Sequence, residues 1–491
     1  MPTLLGANTL STGYEVANSL RFNDDDSAYL SKTFGTATNR KKWTFSAWIK
    51  RSNPTTNGEA IFGGLSEDST SWYSRLADNG DGRYDFTEYS GSAYTINLRP
   101  NPLQRDASAW YHFVLMYDSA QSTASNRVKY YINGLQVTSF ATEVYPSQNQ
   151  ESGINKNHLH RIGQTSESGS SYYFDGYMAE VVFCDGQAYS PTDFGEFDSD
   201  SPNIWKPKDV SGLTFGNNGF YLDFENSGSL GADVSGNSND FTVTNLVATD
   251  QSTDTCTNNF CTLNPFTLQS SNYTLSEGNL KISIGDNDER KAALGTFGLT
   301  TGKWYWEVKY ISTTGQAYSQ IGISDIIQGT EASTENGKMG YQPYDYGYRG
   351  ERGSGSGGIK TNNGTYTVYG DAWTTGDIIG VALDLDNNAI YFSKNGTFQA
   401  PGAVGDPTSG SSRTNATFNI TAASSTATGA YFPAISKEDA DDPVFEFNFG
   451  GTNSASFAIS SGNTDGKYGN FEYAPPSGYY ALCTKRLAEF G

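Results

Sequence analysis

Short segments in which apolar and polar residues alternate recur along most of this chain. In the segment 43–49, Trp43, Phe45, Ala47 and Ile49 fall on one face of an extended strand, because successive side chains of a strand point to opposite faces. Further strands are predicted at 128–132, 177–183, 220–224, 304–310, 381–385, 390–392 and 445–449. Helical periodicity is almost absent outside 485–490. The pattern therefore predicts an all-β protein.

Composition indicates how these strands pack. Only 36% of the residues are hydrophobic, yet 14% are aromatic, and disordered chains are poor in aromatic residues. A two-sheet sandwich fits, since it buries one face of each strand with large rings and leaves the other face polar. The 54 glycines and the Asn133-Gly134 pair, a strong hairpin signal, provide the turns. The 491 residues leave room for roughly two to four domains.

Changes in pattern along the chain predict its domain boundaries. Residues 1–18 are small, polar and aperiodic, which is typical of an N-terminal arm. A first β-domain is predicted at 19–208 and a second at 266–450. Between them, 209–265 is interpreted as a connector that lends a strand to the first domain. The C-terminal segment 451–491 either packs on the second domain or contacts a neighbouring subunit.

Charge and hydropathy restrict the partners. The formal charge is −21, and acidic residues outnumber basic ones by 53 to 32, so the phosphate backbone of nucleic acid is an unfavourable ligand. No run of about 18 apolar residues predicts a membrane span, and the first residues lack the pattern of a signal peptide. Four scattered cysteines favour free or buried thiols over a disulfide framework, with a Cys256–Cys261 bridge as the alternative.

Three groups of residues in the first half resemble the laminin-G and concanavalin A-like lectin/glucanase superfamily. The resemblance rests on 43–49, on 110–114 with 131–134, and on 161–163 leading to 174–181. Each segment alone is a modest match to the superfamily. The order and spacing of all three segments make the match specific for the fold. The resemblance implies a concanavalin A-like, jelly-roll β-sandwich.

The second half resembles a SPRY domain. The matching segments are 302–308, 321–324, 376–386, 392–396 and 431–435. SPRY domains are bent β-sandwiches of concanavalin-like topology that bind proteins through loops at one edge. Together the two resemblances predict two β-sandwiches in tandem, a laminin-G-like domain followed by a SPRY domain.

The pairing of these domains, with the segments 234–241, 258–265 and 447–484, is similar to virion proteins of tailed phages, particularly marine ones. This resemblance implies a virion surface protein, made in the host cytoplasm, that serves as a tail fibre, spike or capsid fibre. Its expected partners are other virion subunits and a host-surface glycan or protein. A homo-oligomer is also expected, with a trimer as one form. The alternatives are a non-adhesive decoration or adaptor protein of the virion and, less favoured, a polysaccharide-degrading tail enzyme.

Catalytic patterns are weak, and the sequence predicts no enzyme. A retaining glycosidase needs two carboxylates about 5 to 5.5 Å apart. The pairs Asp223/Glu225 and Asp384/Asp386 each share a strand face, but surface or turn-capping roles are favoured for both. The histidine His112 lies among aromatic strand residues and is expected to pack in a core, while His158 and His160 are placed in a polar loop. No catalytic residue is assigned.

Two aromatic groups are candidate contact surfaces, because Tyr, Trp and Arg on loops bind partners with little loss of side-chain entropy. The alternative is a structural role, in which these rings pack against the edges of the sandwich and contact no partner. The first group comprises Trp72, Tyr73, Arg75 and Tyr84. The second comprises Tyr341, Tyr344, Tyr346, Tyr348 and Arg349, which are predicted to form a loop.

The oxygen-rich turn at 78–82 raises the question of calcium. Hard cations prefer carboxylate and carbonyl oxygens, which Asp78 and Asp81 could supply. The turn lacks the spacing and the closing Glu of a helix-loop-helix calcium site, so a turn without metal is favoured. No other cofactor is predicted.

Overall fold

A computed structural model gives the fold of the protein. It describes residues 13–52, 58–65, 72–167, 170–268, 273–285, 292–312, 318–325, 339–350, 357–437, 442–451 and 454–491. These residues divide into two compact units, 13–259 and 260–491, which we call the N-terminal and C-terminal units. Both are built from β-sheets, so the prediction of an all-β protein with two sandwiches in tandem is confirmed.

The strands of the N-terminal unit pair antiparallel. They are β1 Ser19–Phe22, β2 Tyr29–Thr33, β3 Lys42–Arg51, β4 Glu59–Leu65, β5 Tyr73–Asp78, β6 Tyr84–Tyr89, β7 Tyr94–Pro100, β8 Trp110–Asp118, β9 Val128–Ile132, β10 Leu135–Gln136, β11 Phe140–Val144, β12 Leu159–Ile162, β13 Gln164–Glu167, β14 Ser170–Tyr173, β15 Gly176–Asp185, β16 Gly195–Phe197, β17 Trp205–Pro207, β18 Phe220–Leu222, β19 Thr242–Thr244 and β20 Gln251–Ser252. One large sheet has the order β10-β9-β8-β3-β15-β1-β20, with β18 beside β15, and the other has the order β11-β7-β6-β5-β4-β12-β2-β19.

The core of the N-terminal unit follows the predicted alternation of β3. Trp43, Phe45, Ala47 and Ile49 all lie in the cluster between the sheets. Trp43 stacks on Tyr117 at a centroid distance of 5.1 Å. Aromatic side chains thus fill the space between the two sheets.

The opposite face of β3 is buried as well, against the expectation that it would be polar and solvated. Trp48 and Lys50 are each 1% exposed. The Lys50 ammonium pairs with Asp254 at 2.7 Å, and the Trp110 indole N–H donates to the same carboxylate at 3.1 Å. Residues from the predicted connector therefore cover this face. Because β18, β19 and β20 also join the two large sheets, 209–259 is part of the N-terminal unit and not a separate connector.

The described part of the predicted N-terminal arm packs on the same face; residues 1–12 lie outside the described residues. The Val16 backbone N–H donates to the Thr257 hydroxyl at 3.1 Å. The Tyr14 hydroxyl lies 3.2 Å from a carboxylate oxygen of Glu180, to which Tyr221 also donates at 2.8 Å. Residues 14–16 therefore belong to the folded unit.

Glu180 has an unusual backbone and an unusual titration. It lies at the register shift of β15 with a φ of +49°, a left-handed conformation that is rare for a residue other than glycine. Burial raises its pKa to about 8, although the Tyr221 and Tyr14 hydroxyls favour the charged form. The folded state therefore holds the Glu180 proton more tightly than the unfolded chain does.

We predict that this proton makes the N-terminal unit less stable as pH rises. Since the folded pKa lies above the ordinary value of 4.5, the stabilisation is complete below about pH 4.5 and is lost as pH rises to about 8. The free energy of unfolding should fall by up to about 1.4 kcal/mol per pH unit in this window. Urea unfolding followed by tryptophan fluorescence measures this slope. Glu180→Gln should remove its share of the slope, while the exposed control Glu143→Gln keeps it; equal slopes in both variants would contradict the assignment.

The C-terminal unit contains the strands β21 Tyr273–Ser276, β22 Lys281–Ile284, β23 Ala292–Leu294, β24 Lys303–Ser312, β25 Ser319–Ser324, β26 Tyr346–Arg349, β27 Ile359–Asn362, β28 Thr365–Val368, β29 Ile378–Asp384, β30 Ala389–Lys394, β31 Thr397–Ala400, β32 Ala403–Val404, β33 Phe418–Asn419, β34 Phe432–Lys437 and β35 Val444–Asn448. One sheet has the order β21-β22-β35-β24-β29-β30-β31-β32, with β33 beside β30, and the other has the order β23-β34-β25-β26-β27-β28. The helix α1, Thr484–Phe490, ends the chain near the predicted helical turn.

The faces of β24 follow the sequence pattern. Trp304, Trp306, Val308 and Tyr310 lie in the core between the two sheets. The opposite face is covered by the C-terminal segment 451–491, whose backbone N–H groups at Glu472 and Tyr473 donate to the Glu307 carboxylate at 3.0 and 2.7 Å. This segment, whose role the sequence left open, therefore packs on the C-terminal unit.

The remaining short elements are 3-10 turns. They lie at Ala124–Asn126, Pro191–Asp193, Ala248–Asp250, Pro265–Thr267, Pro407–Ser412, Ala423–Ser425 and Ala455–Phe457. Within the described ranges, no helix has the length and apolar character needed to cross a membrane. All four cysteines are buried thiols outside any disulfide, as favoured from the sequence.

Candidate functional site

Most of the first predicted contact group is buried. Tyr84 is fully enclosed, its hydroxyl donates to Glu59 at 2.6 Å, and the Arg51 guanidinium lies 5.2 Å from its ring centre. Because it faces the core from β6, Tyr84 cannot contact a partner in this structure. The assignment of Tyr84 to a contact surface is therefore wrong.

Tyr73 and Arg75 are also unavailable to a partner, since each is 3% exposed. The Arg75 guanidinium lies between two aromatic rings, 4.9 Å from the ring centre of Tyr73 and 4.7 Å from that of Tyr172. Tyr172 belongs to β14, which pairs with β13. No local sequence pattern predicts that Tyr172 packs against Arg75 of β5. Of this group, only Trp72 is partly exposed.

The predicted calcium ligands already have partners. The buried Asp78 carboxylate accepts backbone N–H groups from the turn, including that of Gly80 at 2.9 Å, and pairs with Arg51 at 2.7 Å. Asp81 pairs with Arg83 at 2.8 Å and with Arg99. Elsewhere in the described residues, no group of three or more His, Cys, Asp and Glu side chains is arranged to hold a metal. The turn is therefore stabilised by protein donors.

We predict that calcium does not stabilise this turn. A bound ion would raise Tm, because a ligand that binds only the folded state stabilises it by mass action. The Asp78 carboxylate already binds Arg51 and the backbone N–H groups of the turn. We therefore expect the same Tm in millimolar calcium chloride and in EDTA. Differential scanning calorimetry measures this. A calcium-dependent rise that disappears in Asp81→Asn would restore the calcium hypothesis.

An open pocket of about 500 Å³ lies beside Trp72. Its walls include Tyr89, Arg40 and Lys156, which the sequence reasoning missed. The Lys156 ammonium lies 4.2 Å from the Trp72 ring centre, and the Arg40 guanidinium donates to Glu151 at 2.7 Å. Cations and aromatic rings therefore meet at the rim of the N-terminal sandwich.

A buried carboxylate shapes this pocket. Glu88 accepts the Gly153 backbone N–H at 2.6 Å, the Ser152 hydroxyl at 3.0 Å and the Gln150 amide at 2.9 Å. It thereby fixes the loop that forms the far wall. No sequence motif marks Glu88, because its three partners lie more than 60 residues away.

In the second predicted group, Tyr346 and Tyr348 are core residues. They belong to the strand β26, not to a loop, and both point between the sheets. Tyr348 packs against Tyr369 at a centroid distance of 5.3 Å, and the Tyr346 hydroxyl accepts the Thr421 backbone N–H at 3.0 Å. Their assignment to a contact surface is wrong, because the alternation there is that of a buried strand. Arg349, at the end of β26, lies 4.5 Å from the ring centre of Tyr318.

Tyr341 and Tyr344 precede β26 in a turn and are partly exposed. The buried Asp345 carboxylate holds this turn by accepting the Ser324 hydroxyl at 2.7 Å and the Gln342 backbone N–H at 3.2 Å. Burial raises the pKa of Asp345 to about 6. The turn is therefore anchored from below by a side chain that the sequence reasoning did not single out.

The tip of the β27–β28 hairpin docks on this turn. The Asn362 amide donates to the Asp345 carbonyl at 2.8 Å, and the Gly364 N–H donates to the Gly340 carbonyl at 2.9 Å. The docking brings Tyr366 of β28 edge-to-face against Tyr341, with a centroid distance of 6.4 Å. We call Tyr341 and Tyr366 the tyrosine pair; Tyr366 is 37% exposed.

A groove of about 440 Å³ begins where β28 ends. Residues 368–371 form one wall and residues 397–403, in the β31–β32 hairpin, form the other. We call it the edge groove. Val368 is 50% exposed at its mouth, and Val404, in β32 just beyond the groove lining, is 62% exposed. The tyrosine pair and the edge groove are thus joined by one exposed strand.

The histidines for which no catalytic role was predicted have partners within the fold. His112 is buried, its Nδ1 accepts the Trp205 indole N–H at 2.9 Å, and burial lowers its pKa to about 3, so it is neutral. His160 is not in a loop as predicted but in β12, stacked on Phe34. The prediction of a loop at His160 was wrong because β12 has only four residues, and polar residues in so short a strand resemble a loop sequence.

The two carboxylate pairs are also engaged. Asp384 is 1% exposed and pairs with Lys303 at 3.0 Å, and Asp386 accepts the Gly302 N–H at 2.9 Å. Asp223 lies beyond the end of β18 and accepts the Glu225 N–H at 3.1 Å. Asp223, Asp384 and Asp386 therefore cap turns, as the sequence favoured.

Comparison with protein families identifies both units. Residues 22–193 match the concanavalin A-like lectin/glucanases superfamily, and residues 303–452 match the SPRY domain. The chain carries a concanavalin A-like domain and a SPRY domain. The two resemblances seen in the sequence are thereby confirmed at the level of domains.

Curated relatives of the chain include proteins of zebrafish (Danio rerio) and Xenopus. Ran-binding protein 9 of Danio rerio is 38% identical over 95 residues, which is 19% of this chain and 14% of that protein. Ran-binding protein 10 of Danio rerio is 33% identical over 128 residues, 25% of this chain and 20% of that protein. The ATP-dependent RNA helicase DDX1 of Xenopus laevis is 29% identical over 144 residues, 28% of this chain and 17% of that protein. The chain thus spans about a fifth or less of the length of these relatives.

Solved structures give low scores against the whole chain. The SPRY domain of human HERC1 has a TM-score of 0.27 and 17% identity, covering 38% of this chain and 96% of its own. The heptameric SAP-like pentraxin of Limulus polyphemus has a TM-score of 0.24 and 15% identity, covering 36% of this chain and 80% of its own.

These relatives contradict the phage interpretation. The SPRY relatives are Ran-binding proteins 9 and 10, not tail or virion proteins. The predicted role as a virion surface protein is therefore wrong, and so are the predicted virion location and the predicted partners, which were virion subunits and host-surface molecules. The error arose because the pairing of the two domains, with the segments 234–241, 258–265 and 447–484, was taken as a sign of origin.

Proposed function

We propose that the protein is a non-enzymatic binding protein and that its SPRY domain holds a partner protein at the tyrosine pair and the edge groove. The observation that carries the proposal is the docking of the β27–β28 hairpin on the turn at 340–345, which fixes Tyr341 and Tyr366 at the surface. A partner that contacts these rings finds them already ordered.

The chemistry of this surface supports protein binding. Tyrosine offers a large apolar ring and a polar hydroxyl with only two side-chain torsions, so little entropy is lost on contact. Beside it, Val368 and Val404 expose apolar surface around a groove. Apolar anchors with an adjacent groove are typical of protein interfaces.

The relatives support the same class of activity. Their printed names describe proteins that bind Ran, and a helicase shares a similar segment. A segment common to a binding protein and a helicase does not by itself specify a reaction. We therefore carry over protein binding to this chain, but not the identity of the partner.

We predict that the double variant Tyr341→Ser/Tyr366→Ser loses its partner. Truncating an anchoring aromatic residue typically costs about 2 kcal/mol or more, which is roughly a thirtyfold loss of affinity. Affinity capture with the full chain and quantitative mass spectrometry would identify proteins that the wild type retains and the variant does not. Calorimetry with each purified candidate then gives the change in Kd.

Phe266→Ser is the matched control, because Phe266 is also in the C-terminal unit and is 52% exposed. It should bind the partner as the wild type does. A partner that is lost in Phe266→Ser but kept by the tyrosine variant would place the binding surface elsewhere and overturn the proposal.

A further inference from the structure

The buried amine of Lys50, on the outer face of β3, is in contact with both a carboxylate and an amide. Its Nζ lies 2.7 Å from Oδ2 of Asp254 and 2.7 Å from Oδ1 of Asn259. The exposed fraction is 1% for Lys50, 1% for Asp254 and 6% for Asn259. All three residues belong to the N-terminal unit, and we call them the lysine triad.

The sheet places an aromatic residue on each side of Lys50. In the strand register, Lys50 pairs with Trp110 of β8 and with Tyr177 of β15. Directly paired residues of neighbouring strands project from the same face of a sheet. Trp110 and Tyr177 are themselves buried, in one cluster with Trp48. The amine of the triad is therefore flanked by aromatic rings and is shielded from water.

The two partners of the amine are held in place by residues outside the triad. The Trp110 indole N–H donates to the second carboxylate oxygen of Asp254, Oδ1, at 3.1 Å. The amide nitrogen of Asn259 donates to the Ser108 carbonyl at 2.6 Å, which leaves the amide oxygen directed at Lys50. Since a C=O bond is about 1.23 Å long, the amide carbon Cγ lies within about 4 Å of Nζ.

An amine, an amide carbon and a carboxylate in such contact are the reactants and the acid–base group of a transamidation. Holding the amine against the amide replaces an encounter in solution with a reaction inside one molecule. A carboxylate at hydrogen-bond distance from the amine can take up and return its protons. Exclusion of water strengthens these electrostatic interactions and prevents competing hydrolysis of the amide. The lysine triad meets all three conditions.

We propose that Lys50 and Asn259 join in an isopeptide bond, with Asp254 as the acid–base catalyst. Asp254 takes one proton from the Lys50 ammonium, and the electron pair of Nζ forms a bond to Cγ of Asn259. Asp254 passes this proton to the amide nitrogen Nδ2 and takes a second proton from Nζ. The Cγ–Nδ2 bond then breaks and ammonia leaves.

The reaction balances without an oxidant or a second substrate. An ammonium, a carboxylate and a primary amide become a secondary amide, a neutral carboxylic acid and ammonia. The buried Asp254 therefore keeps a proton when it loses its cationic partner, which avoids the cost of an unpaired buried charge.

The bond would tie together two distant parts of the N-terminal unit. It joins β3 to the segment 254–259, which covers the outer face of β3. A cross-link between residues so far apart in sequence restricts the unfolded chain and thereby stabilises the folded one. The cover of β3 would then be held covalently.

The positions of the methionines allow a direct test on the full, denatured chain. Cyanogen bromide cleaves after methionine, and Met116 and Met178 separate the two ends of the proposed bond, which fall in the fragments 2–116 and 179–339. These two fragments should stay joined on a denaturing gel. Fragment 2–116 contains no cysteine, so a disulfide cannot join them. Mass spectrometry should find the joined pair lighter than the sum of its parts by one molecule of ammonia.

Variants test the role of each member of the triad. Asp254→Asn removes the acid–base group at nearly constant size, and Asn259→Ala removes the amide, so both should give separate fragments and the full mass of the unlinked chain. Asn258→Ala changes the neighbouring amide and is the matched control, which should keep the fragments joined. If the first two variants do not fold, the wild type still decides, because its fragments and mass are measured after denaturation.

Four outcomes would overturn the proposal. Separate wild-type fragments with the full mass would show that the triad is only an ion pair with an added hydrogen bond. Separate fragments with loss of ammonia would indicate that an asparagine has cyclised on its own backbone. Joined fragments that have lost water would make Asp254 the acceptor, and joined fragments in Asp254→Asn would exclude Asp254 as the catalyst.

Discussion

Burial of the central strands on both faces is the constraint on which the rest of the structure depends. β3 and β24 are hydrogen-bonded on both edges, their core faces carry tryptophans, and their outer faces are covered by segments from distant parts of the chain. A polar group on such a strand must find a partner within the protein, because water cannot reach it. Lys50 with Asp254, and Glu307 with the backbone at 472–473, satisfy this requirement. Contact with other molecules is left to peripheral strands and turns.

The sequence predicted the strands well because their signal is local. The alternation at 43–49 and 304–310 identified the core faces of β3 and β24, and Asn133-Gly134 predicted the β9–β10 hairpin. Partner strands in an antiparallel sheet have no comparable local signal. The covering of β3 by residues near 254 depends on contacts some 200 residues apart in sequence. For this reason 209–265 was interpreted as a connector.

The candidate site was harder to predict, since an exposed tyrosine and a buried one look alike in sequence. Tyr341, Tyr346 and Tyr348 stand within eight residues, yet only the first remains near the surface. The difference comes from β26, which turns 346 and 348 toward the core, and from Asp345, which anchors the preceding turn. Tyr366 was missed altogether because it meets Tyr341 only after the β27–β28 hairpin has docked.

The cover of β24 has a consequence for how this domain can be isolated. The segment that matches SPRY ends at 452, but the outer face of β24 is completed by Phe471, Tyr479 and neighbouring residues of the last 40. A fragment cut at the family boundary would leave Tyr305 and the Glu307 carboxylate uncovered. Exposed aromatic surface of that kind promotes aggregation. The fragment expected to fold on its own is therefore 260–491. In this fragment the C-terminal segment 451–491 forms a layer of the domain.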